Sequence, residues 1–200
     1  THRSRLVAKE FNRGTMDGVF AATPPLECLK CLISECASES DQRLMVSDIS
    51  RAYFYAPCVR DTYVVIPSED HEPGDELRCA KLNVSMYGTR DAANNWTHTY
   101  SGHLISNGFI MNAANPCLFH HPTRDIRLMV HGDDYTSLGD LHNLKWLKTE
   151  LKKRFECKST ILGPEGEADC ESRVRILNIE YWSGVIMALN IGLMPDMQKR

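Results

Sequence analysis

Apolar residues recur along this chain at two different spacings. After Thr23 and two prolines they return every three or four positions as far as residue 36, which predicts a helix that begins at the prolines. The same spacing predicts helices over 91–107 and 141–154, the second with a basic last turn. The pattern therefore indicates three amphipathic helices.

Shorter apolar and β-branched runs predict strands. These runs cover residues 6–8, 43–49, 62–66, 117–120, 126–130, 135–138, 155–161 and 173–182. Positive charges flank the run at 6–8, so we expect a basic hairpin there. The residues 131–134 stand between two runs and predict a turn. The acidic stretch 68–76, which contains a proline and a glycine, predicts a surface loop.

Composition narrows the class of protein. The 200 residues are 42% hydrophobic and 24% charged, which is an ordinary globular composition, and the length is typical of one domain or of one domain with a fragment of another. The formal net charge of −3 shows no overall basic excess, so a nucleic-acid contact has to be local. The apolar runs are too short to cross a bilayer, so we expect no membrane partner. The eight cysteines come without a secretory signal and are expected to be reduced thiols.

Three carboxylates form the most informative polar group. Asp48 lies near the end of a predicted strand, and Asp133 and Asp134 lie on the predicted turn. Bringing them together would be costly unless divalent cations neutralise them, and two Mg²⁺ ions about 3.5–4 Å apart would also support phosphoryl transfer. The alternative is ordinary turn and capping chemistry, which uses the same residues.

Several segments, in order, carry a family resemblance. Residues 3–9 look like K-A-R-L-V-A-K-G, with Glu10 in place of the glycine, and residues 46–53 look like the segment around M-D-V-K-T-A-F. Residues 86–96 are similar to L-Y-G-L-K-Q-A-P-R-Q-W, with Ala93 in place of the proline. These segments resemble the reverse transcriptase of Ty1/copia-type retrotransposons.

The rest of the chain extends this resemblance to nearly its full length. Residues 115–119 look like D-P-C-L-Y, and residues 147–158 resemble L-K-K-E-F-E-M-K. Residues 131–134, His-Gly-Asp-Asp, stand where the family has Y-V-D-D. Both acids are kept, whereas His131 and Gly132 replace the aromatic and the aliphatic residue.

The resemblance implies a role for each matching residue. The catalytic and metal-binding residues would be Asp48, Asp133 and Asp134, with two Mg²⁺ ions as the cofactor and Mn²⁺ as a substitute. The nucleotide-binding residues would be Arg3, Arg5, Lys9, Tyr53 and Gly88. The template and primer would contact Tyr87, Arg90 and His131. By composition alone, the basic residues fit a solvated strand, Tyr53 fits a core, and Gly88 fits a turn.

The resemblance also implies a fold and partners. We expect an α+β polymerase palm, an antiparallel sheet backed by helices, with partial fingers over 1–40. Residues 41–182 would be mostly palm with fingers insertions, and 183–200 would begin the following region, with the thumb missing or truncated. The partners would be an RNA or DNA template–primer, deoxynucleoside triphosphates, and the integrase and RNase H regions of a Pol polyprotein, in cytoplasmic particles and the nucleus.

Two other functions remain open at the level of sequence. A decayed element copy would fold or bind nucleic acid without polymerising, which the departures at Glu10, Ala93, His131 and Gly132 favour and the three intact acids oppose. An unrelated metal-dependent phosphotransferase or nuclease would use the same acids and would hydrolyse without a template. Primer extension distinguishes the three functions.

Overall fold

The computed structural model describes residues 6–11, 14, 19–75, 78–177 and 179–184 of the chain. The chain divides into two compact units, each built from two separate stretches. The first unit takes residues 1–21 and 51–103, and the second takes residues 22–50 and 104–200. The expected boundaries at residues 40 and 182, between fingers, palm and the following region, stay predictions.

The described residues contain three α-helices, two short 3₁₀ helices (Ala52–Tyr55 and Ser68–Asp70) and ten strands. The helices are α1 (Leu26–Ser38), α2 (Ala92–Ser106) and α3 (Leu141–Arg154). The strands are β1 (Gln42–Ile49), β2 (Tyr63–Val65), β3 (Cys79–Lys81), β4 (Ile110–Met111), β5 (Leu118–His121), β6 (Ile126–His131), β7 (Asp134–Asp140), β8 (Cys157–Leu162), β9 (Arg173–Ile176) and β10 (Ile179–Trp182). The mixed α and β class and the antiparallel sheet are as predicted.

One six-stranded sheet organises the second unit. Its strand order is β4-β5-β6-β7-β1-β8, and every neighbouring pair is antiparallel. Strand β1 comes first in the chain but lies between β7 and β8. Its register on β7 runs from Gln42 opposite Asp140 to Asp48 opposite Asp134.

Helices cover both faces of this sheet. Leu29 and Leu32 of α1 share a buried core with Leu44 and Leu138, which lie opposite each other on β1 and β7. Strand β9, which pairs with β10, adds Val174 and Ile176 to the same core. Helix α3 packs on the other face through Leu144, Leu147 and Leu151, which are all buried.

The apolar cover of the α1 face ends before β1 does. Along that face of β1, burial falls from Leu44, which is buried, through Val46, which is half-buried, to Asp48, which is exposed. Because alternate residues of a strand share a face, Asp48 points to the same side as the core leucine but lies outside the core. The strand thus presents a carboxylate at the open end of a covered sheet.

The first unit contains the β2–β3 hairpin and most of α2. Trp96 and Tyr100 of α2 are buried and contact each other edge to face, with ring centroids 5.5 Å apart. The segment 6–11 makes backbone hydrogen bonds to residues 87 and 88. The expected strand at 6–8 is wrong, because these residues form no strand ladder.

Other differences are local. Helix α1 is capped by Pro25 without a side-chain hydrogen bond, not by Thr23. Strands β3 and β4 were not predicted, because two or three residues are too few to show a period. Among the described residues, none of the helices has the length and apolar character needed to cross a membrane.

Candidate active site

The sheet register brings the predicted carboxylates together. Asp48 of β1 lies directly opposite Asp134 of β7, and Asp134 lies opposite His131 of β6. On the other side of β1, Asp48 lies opposite Lys158 of β8. The four residues therefore form one row across four strands, in the order His131, Asp134, Asp48 and Lys158.

The turn between β6 and β7 fixes Asp133 beside this row. His131 pairs with Asp134, so only Gly132 and Asp133 form the turn. Gly132 has φ +66°, which suits the first position of a two-residue hairpin turn, where glycine is favoured. The carbonyl of Asp133 accepts a hydrogen bond of 3.0 Å from the Ile49 amide, which holds the turn against the end of β1.

The proximity of the three carboxylates has an electrostatic consequence. Burial and the negative charges of Asp133 and Asp48 raise the pKa of Asp134, and the neighbouring His131 partly offsets this. A raised pKa means that the ionised form of Asp134 is destabilised in the folded chain. A bound cation at this place would relieve that repulsion.

The donor set fits Mg²⁺ in its chemistry. Carboxylate oxygens are the hard ligands that Mg²⁺ prefers, and Asp48, Asp133 and Asp134 supply them on adjoining backbone positions. Within the part of the chain that the structure describes, however, no three His, Cys, Asp or Glu side chains are grouped closely enough to hold a metal ion. The carboxylates are therefore neighbours without forming a closed ligand shell.

A cavity of about 510 Å³ opens beside the carboxylates. His131, Asp133 and Asp134 line it together with Arg175 of β9. Neither Arg175 nor Lys158 was predicted as a site residue from the sequence. The alternation of Arg173 and Arg175 with buried Val174 and Ile176 was the signal that could have identified a basic face there.

The other predicted site residues lie in the first unit. The rings of Tyr53 and Tyr87 stack with centroids 4.4 Å apart, and Lys9 is exposed. Arg90 donates from its side chain to the carbonyl of Gly14 at 3.1 Å. Arg3 and Arg5 lie outside the described residues.

The close packing around position 88 requires a glycine there. Its φ is +89°, and a Cβ placed on it would lie 2.0 Å from the carbonyl oxygen of Ala8. Only a residue without a side chain lets the segment 6–11 approach this turn so closely. The positive φ and this close contact explain Gly88 as a turn residue. A contact between Gly88 and a nucleotide stays a prediction.

Comparisons with known proteins identify the family of the chain. Residues 1–191 match the family model described as reverse transcriptase (RNA-dependent DNA polymerase). The chain is 30% identical over 198 residues to the truncated transposon Ty1-A Gag-Pol polyprotein of Saccharomyces cerevisiae, covering 96% of this chain and 16% of that protein. It is also 25% identical over 170 residues to the retrovirus-related Pol polyprotein from transposon TNT 1-94 of Nicotiana tabacum, covering 82% of this chain and 13% of the relative.

The extent of these matches defines what the chain is similar to. It spans about a sixth or less of the length of the curated relatives, which are Gag-Pol or Pol polyproteins of transposons. The family model, in contrast, covers nearly the whole chain. The chain belongs to the reverse transcriptase family, as a Pol polyprotein fragment of the Ty1/copia retrotransposon type.

Proposed function

We propose that this chain is the RNA-directed DNA polymerase region of a Ty1/copia-type Pol polyprotein. The observation that carries the proposal is the register of β1 against β7, which puts Asp48 opposite Asp134 and beside Asp133. Two strands whose facing aspartates are 86 positions apart in sequence would gain nothing in stability from placing like charges together. Such an arrangement is expected where a site needs to attract cations.

In this proposal the second unit is the palm and the first unit supplies the fingers. Asp48 and Asp133 would hold two Mg²⁺ ions, and Asp134 would support the site. When bound, the ions supply Lewis-acid activation of the primer hydroxyl and neutralise charge on the phosphates. The primer 3′-hydroxyl gives up its proton to solvent, and its oxygen bonds to the α-phosphorus of the deoxynucleotide. The bond from that phosphorus to the bridging oxygen breaks, and pyrophosphate leaves.

The remaining predicted residues would bind and orient the substrates. Lys9, with Arg3 and Arg5, would contact the triphosphate, since basic side chains bind phosphate oxygens. Tyr53 would exclude a ribose 2′-hydroxyl, and its stacking on Tyr87 supports this role by limiting the freedom of its ring. These contacts would align the reacting groups, which supplies much of the rate enhancement in phosphoryl transfer.

Residues close to the template and primer complete the proposal. Tyr87, Arg90 and His131 are the predicted contacts, and Arg175 adds a positive charge beside Asp133 and Asp134 in the same cavity as His131. Cationic side chains there would offset the repulsion between the carboxylates and a phosphate backbone. The departures at His131 and Gly132 leave both acids and a well-formed turn in place.

Template-directed primer extension tests this function. The purified chain and a longer polypeptide that continues past residue 200 are assayed with Mg²⁺ and deoxynucleotides, beside Asp133→Asn. The matched control is Asp70→Asn, which neutralises an exposed aspartate in the loop after β2. We expect extension by the wild-type polypeptide and by the control, and a loss of at least about 100-fold in Asp133→Asn.

Other outcomes identify the alternatives. If both wild-type polypeptides fold and bind primer–template but never extend it, the chain is a decayed copy. If they hydrolyse nucleic acid without a template, and Asp133→Asn abolishes the hydrolysis, the chain is a metal-dependent nuclease. Either result would overturn the polymerase proposal.

A further inference from the structure

Glu10 stands where the resembling family has glycine, and the structure gives its carboxylate two hydrogen-bond partners. One oxygen of Glu10 accepts hydrogen bonds from Nη2 of Arg60 and, at 2.8 Å, from the backbone amide of Arg90. The same nitrogen of Arg60 donates to Asp91 at 3.1 Å. The three side chains of Glu10, Arg60 and Asp91, which we name the Glu10 cluster, lie entirely within the first unit.

The Glu10 cluster is more than an exposed ion pair. The side chain of Asp91 is 9% exposed, that of Glu10 25% and that of Arg60 33%. Burial alone would raise the pKa of Glu10, but the hydrogen bonds from Arg60 and the Arg90 amide outweigh it and lower the pKa. Asp91 shows the same balance, with a further hydrogen bond from Asn95. Exposed ion pairs contribute little to stability, whereas a partly buried, charge-assisted network is stronger.

The cluster anchors a segment that is also held by its backbone. The amide of Ala8 donates to the carbonyl of Tyr87 at 2.8 Å, and the amide of Glu10 donates to the carbonyl of Gly88 at 3.4 Å. The second hydrogen bond is long, so the side chain of Glu10 supplies the firmer attachment at this end of the segment. The segment is thus attached to the 87–88 turn at two points, two residues apart.

Lys9 lies between these two points of attachment. Its side chain is exposed, and it lines a cavity of about 810 Å³ together with Thr62 and Val64 near the β2–β3 hairpin. A lysine side chain is long and flexible, so its reach is set by where its backbone is held. Fixing residues 8 and 10 therefore decides where the ammonium group of Lys9 can go.

We propose that Glu10 is a positioning residue: through Arg60 and the Arg90 amide it holds the segment 8–10 on the Tyr87–Gly88 turn and sets the position of Lys9 for an incoming deoxynucleoside triphosphate. This inference rests on the proposed function, because it assigns Lys9 to the nucleotide. Under this proposal, the replacement of the family's glycine by Glu10 adds a contact that has a function in this chain. The glycine of the resembling family has no side chain to make that contact.

Two measurements on the full 200-residue chain test the proposal. Amide hydrogen exchange, read by mass spectrometry on peptides covering residues 6–11, reports whether the segment is held. A gel shift with a chain-terminated primer–template and the next complementary deoxynucleotide reports the nucleotide concentration that half-saturates the ternary complex. Neither measurement requires catalysis.

The variants are Glu10→Gln, Arg60→Met and the double variant, with Glu69→Gln as the matched control. Glu69 is exposed in the same unit and contacts its neighbour Ser68. We expect Glu10→Gln to lower protection of the segment and to raise the half-saturating nucleotide concentration, each by about tenfold. The affinity for primer–template without nucleotide should stay within about twofold. Adding Glu10→Gln to Arg60→Met should have a smaller effect than Glu10→Gln alone, because the contact with Arg60 is already lost and the contact with the Arg90 amide remains.

Contrary results are separable. Unchanged protection in Glu10→Gln, or lost protection with an unchanged nucleotide requirement, would overturn the positioning role. A similar effect in Glu69→Gln would show that general loss of negative charge, and not this cluster, is responsible. If neither the wild-type chain nor the longer polypeptide that continues past residue 200 forms a nucleotide-dependent complex, the proposed function fails and the positioning role fails with it. The exchange data would still report separately whether Glu10 holds the segment.

Discussion

Neutralising Asp134 should make the protein more stable while it disables the proposed site. Asp134 lies directly opposite Asp48, and cross-strand pairs have Cβ atoms about 5 Å apart. At that separation, two unit charges repel by about 1–3 kcal/mol for effective dielectric constants between about 80 and 20. We therefore expect Asp134→Asn to raise the free energy of unfolding by about 1–3 kcal/mol at neutral pH without divalent cations.

The direction of the pH dependence follows from the raised pKa of Asp134. A carboxyl group whose pKa is higher in the folded chain than in the unfolded chain destabilises the fold once it ionises. The advantage of Asp134→Asn should therefore be absent in acid, below about pH 3.9, and should appear as the pH rises through the folded pKa. Adding Mg²⁺ should narrow the difference, because a cation that binds the wild-type carboxylates stabilises only that chain.

Urea unfolding followed by circular dichroism, in EDTA and then in Mg²⁺, measures this difference. Asp140→Asn is the matched control, since Asp140 lies at the other end of β7 and caps α3 by accepting from the Asn143 amide at 2.9 Å. Removing that charge from a helix N-terminus should cost about 0.5–1 kcal/mol, the opposite sign. If Asp134→Asn is no more stable than the wild type in EDTA at neutral pH, the carboxylates do not repel as the register implies.

Two further predictions concern the packing at Gly88 and the pH dependence at His121. Gly88→Ala should lower the free energy of unfolding by about 2 kcal/mol or more, because the new Cβ would lie 2.0 Å from the Ala8 carbonyl oxygen at a φ of +89°. Gly102→Ala, where nothing lies within 4 Å, should instead stabilise α2 by up to about 1 kcal/mol, and equal effects in urea unfolding would contradict the packing. Burial and nearby positive charge lower the pKa of His121, so stability should fall as the pH drops below about 6.5, where the unfolded chain takes up the proton first. His121→Phe should reduce that loss between pH 7.5 and 5.5, and an identical urea profile for both chains would contradict the prediction.

Local patterns predicted most of the secondary structure. Helix α3 was predicted from leucines at 141, 144, 147 and 151, and it forms over Leu141–Arg154 with the basic last turn as expected. The prediction of this helix is correct because its hydrogen bonds and its apolar stripe both lie within one short stretch of chain. Strand β4 has two residues, and β3 has three, so neither leaves a pattern that a periodic signal can reveal.

The candidate site was predicted only in its parts. Asp48, Asp133 and Asp134 were identified from their motifs, and the register places them together. Lys158 lies in the row of charged residues because β8 pairs with the side of β1 that β7 does not occupy. Arg175 lines the cavity because β9 lies beside the turn that carries Asp133. Neither residue stands out in the sequence as a neighbour of a carboxylate.

Glu10 is another residue whose contacts could not be predicted from the sequence. By sequence it is a departure from a family motif that counts towards decay, whereas in the structure it bonds Arg60 and the Arg90 amide. The partners of that carboxylate are Arg60 and the Arg90 amide, which lie 50 and 80 positions further along the chain.

The sequence by itself determined the helices, most strands, the hairpin turn and the motif acids, since these depend on neighbours along the chain. Only the tertiary structure decided which strands pair, in which register, and hence which charges meet, because those contacts join residues whose separation carries no period.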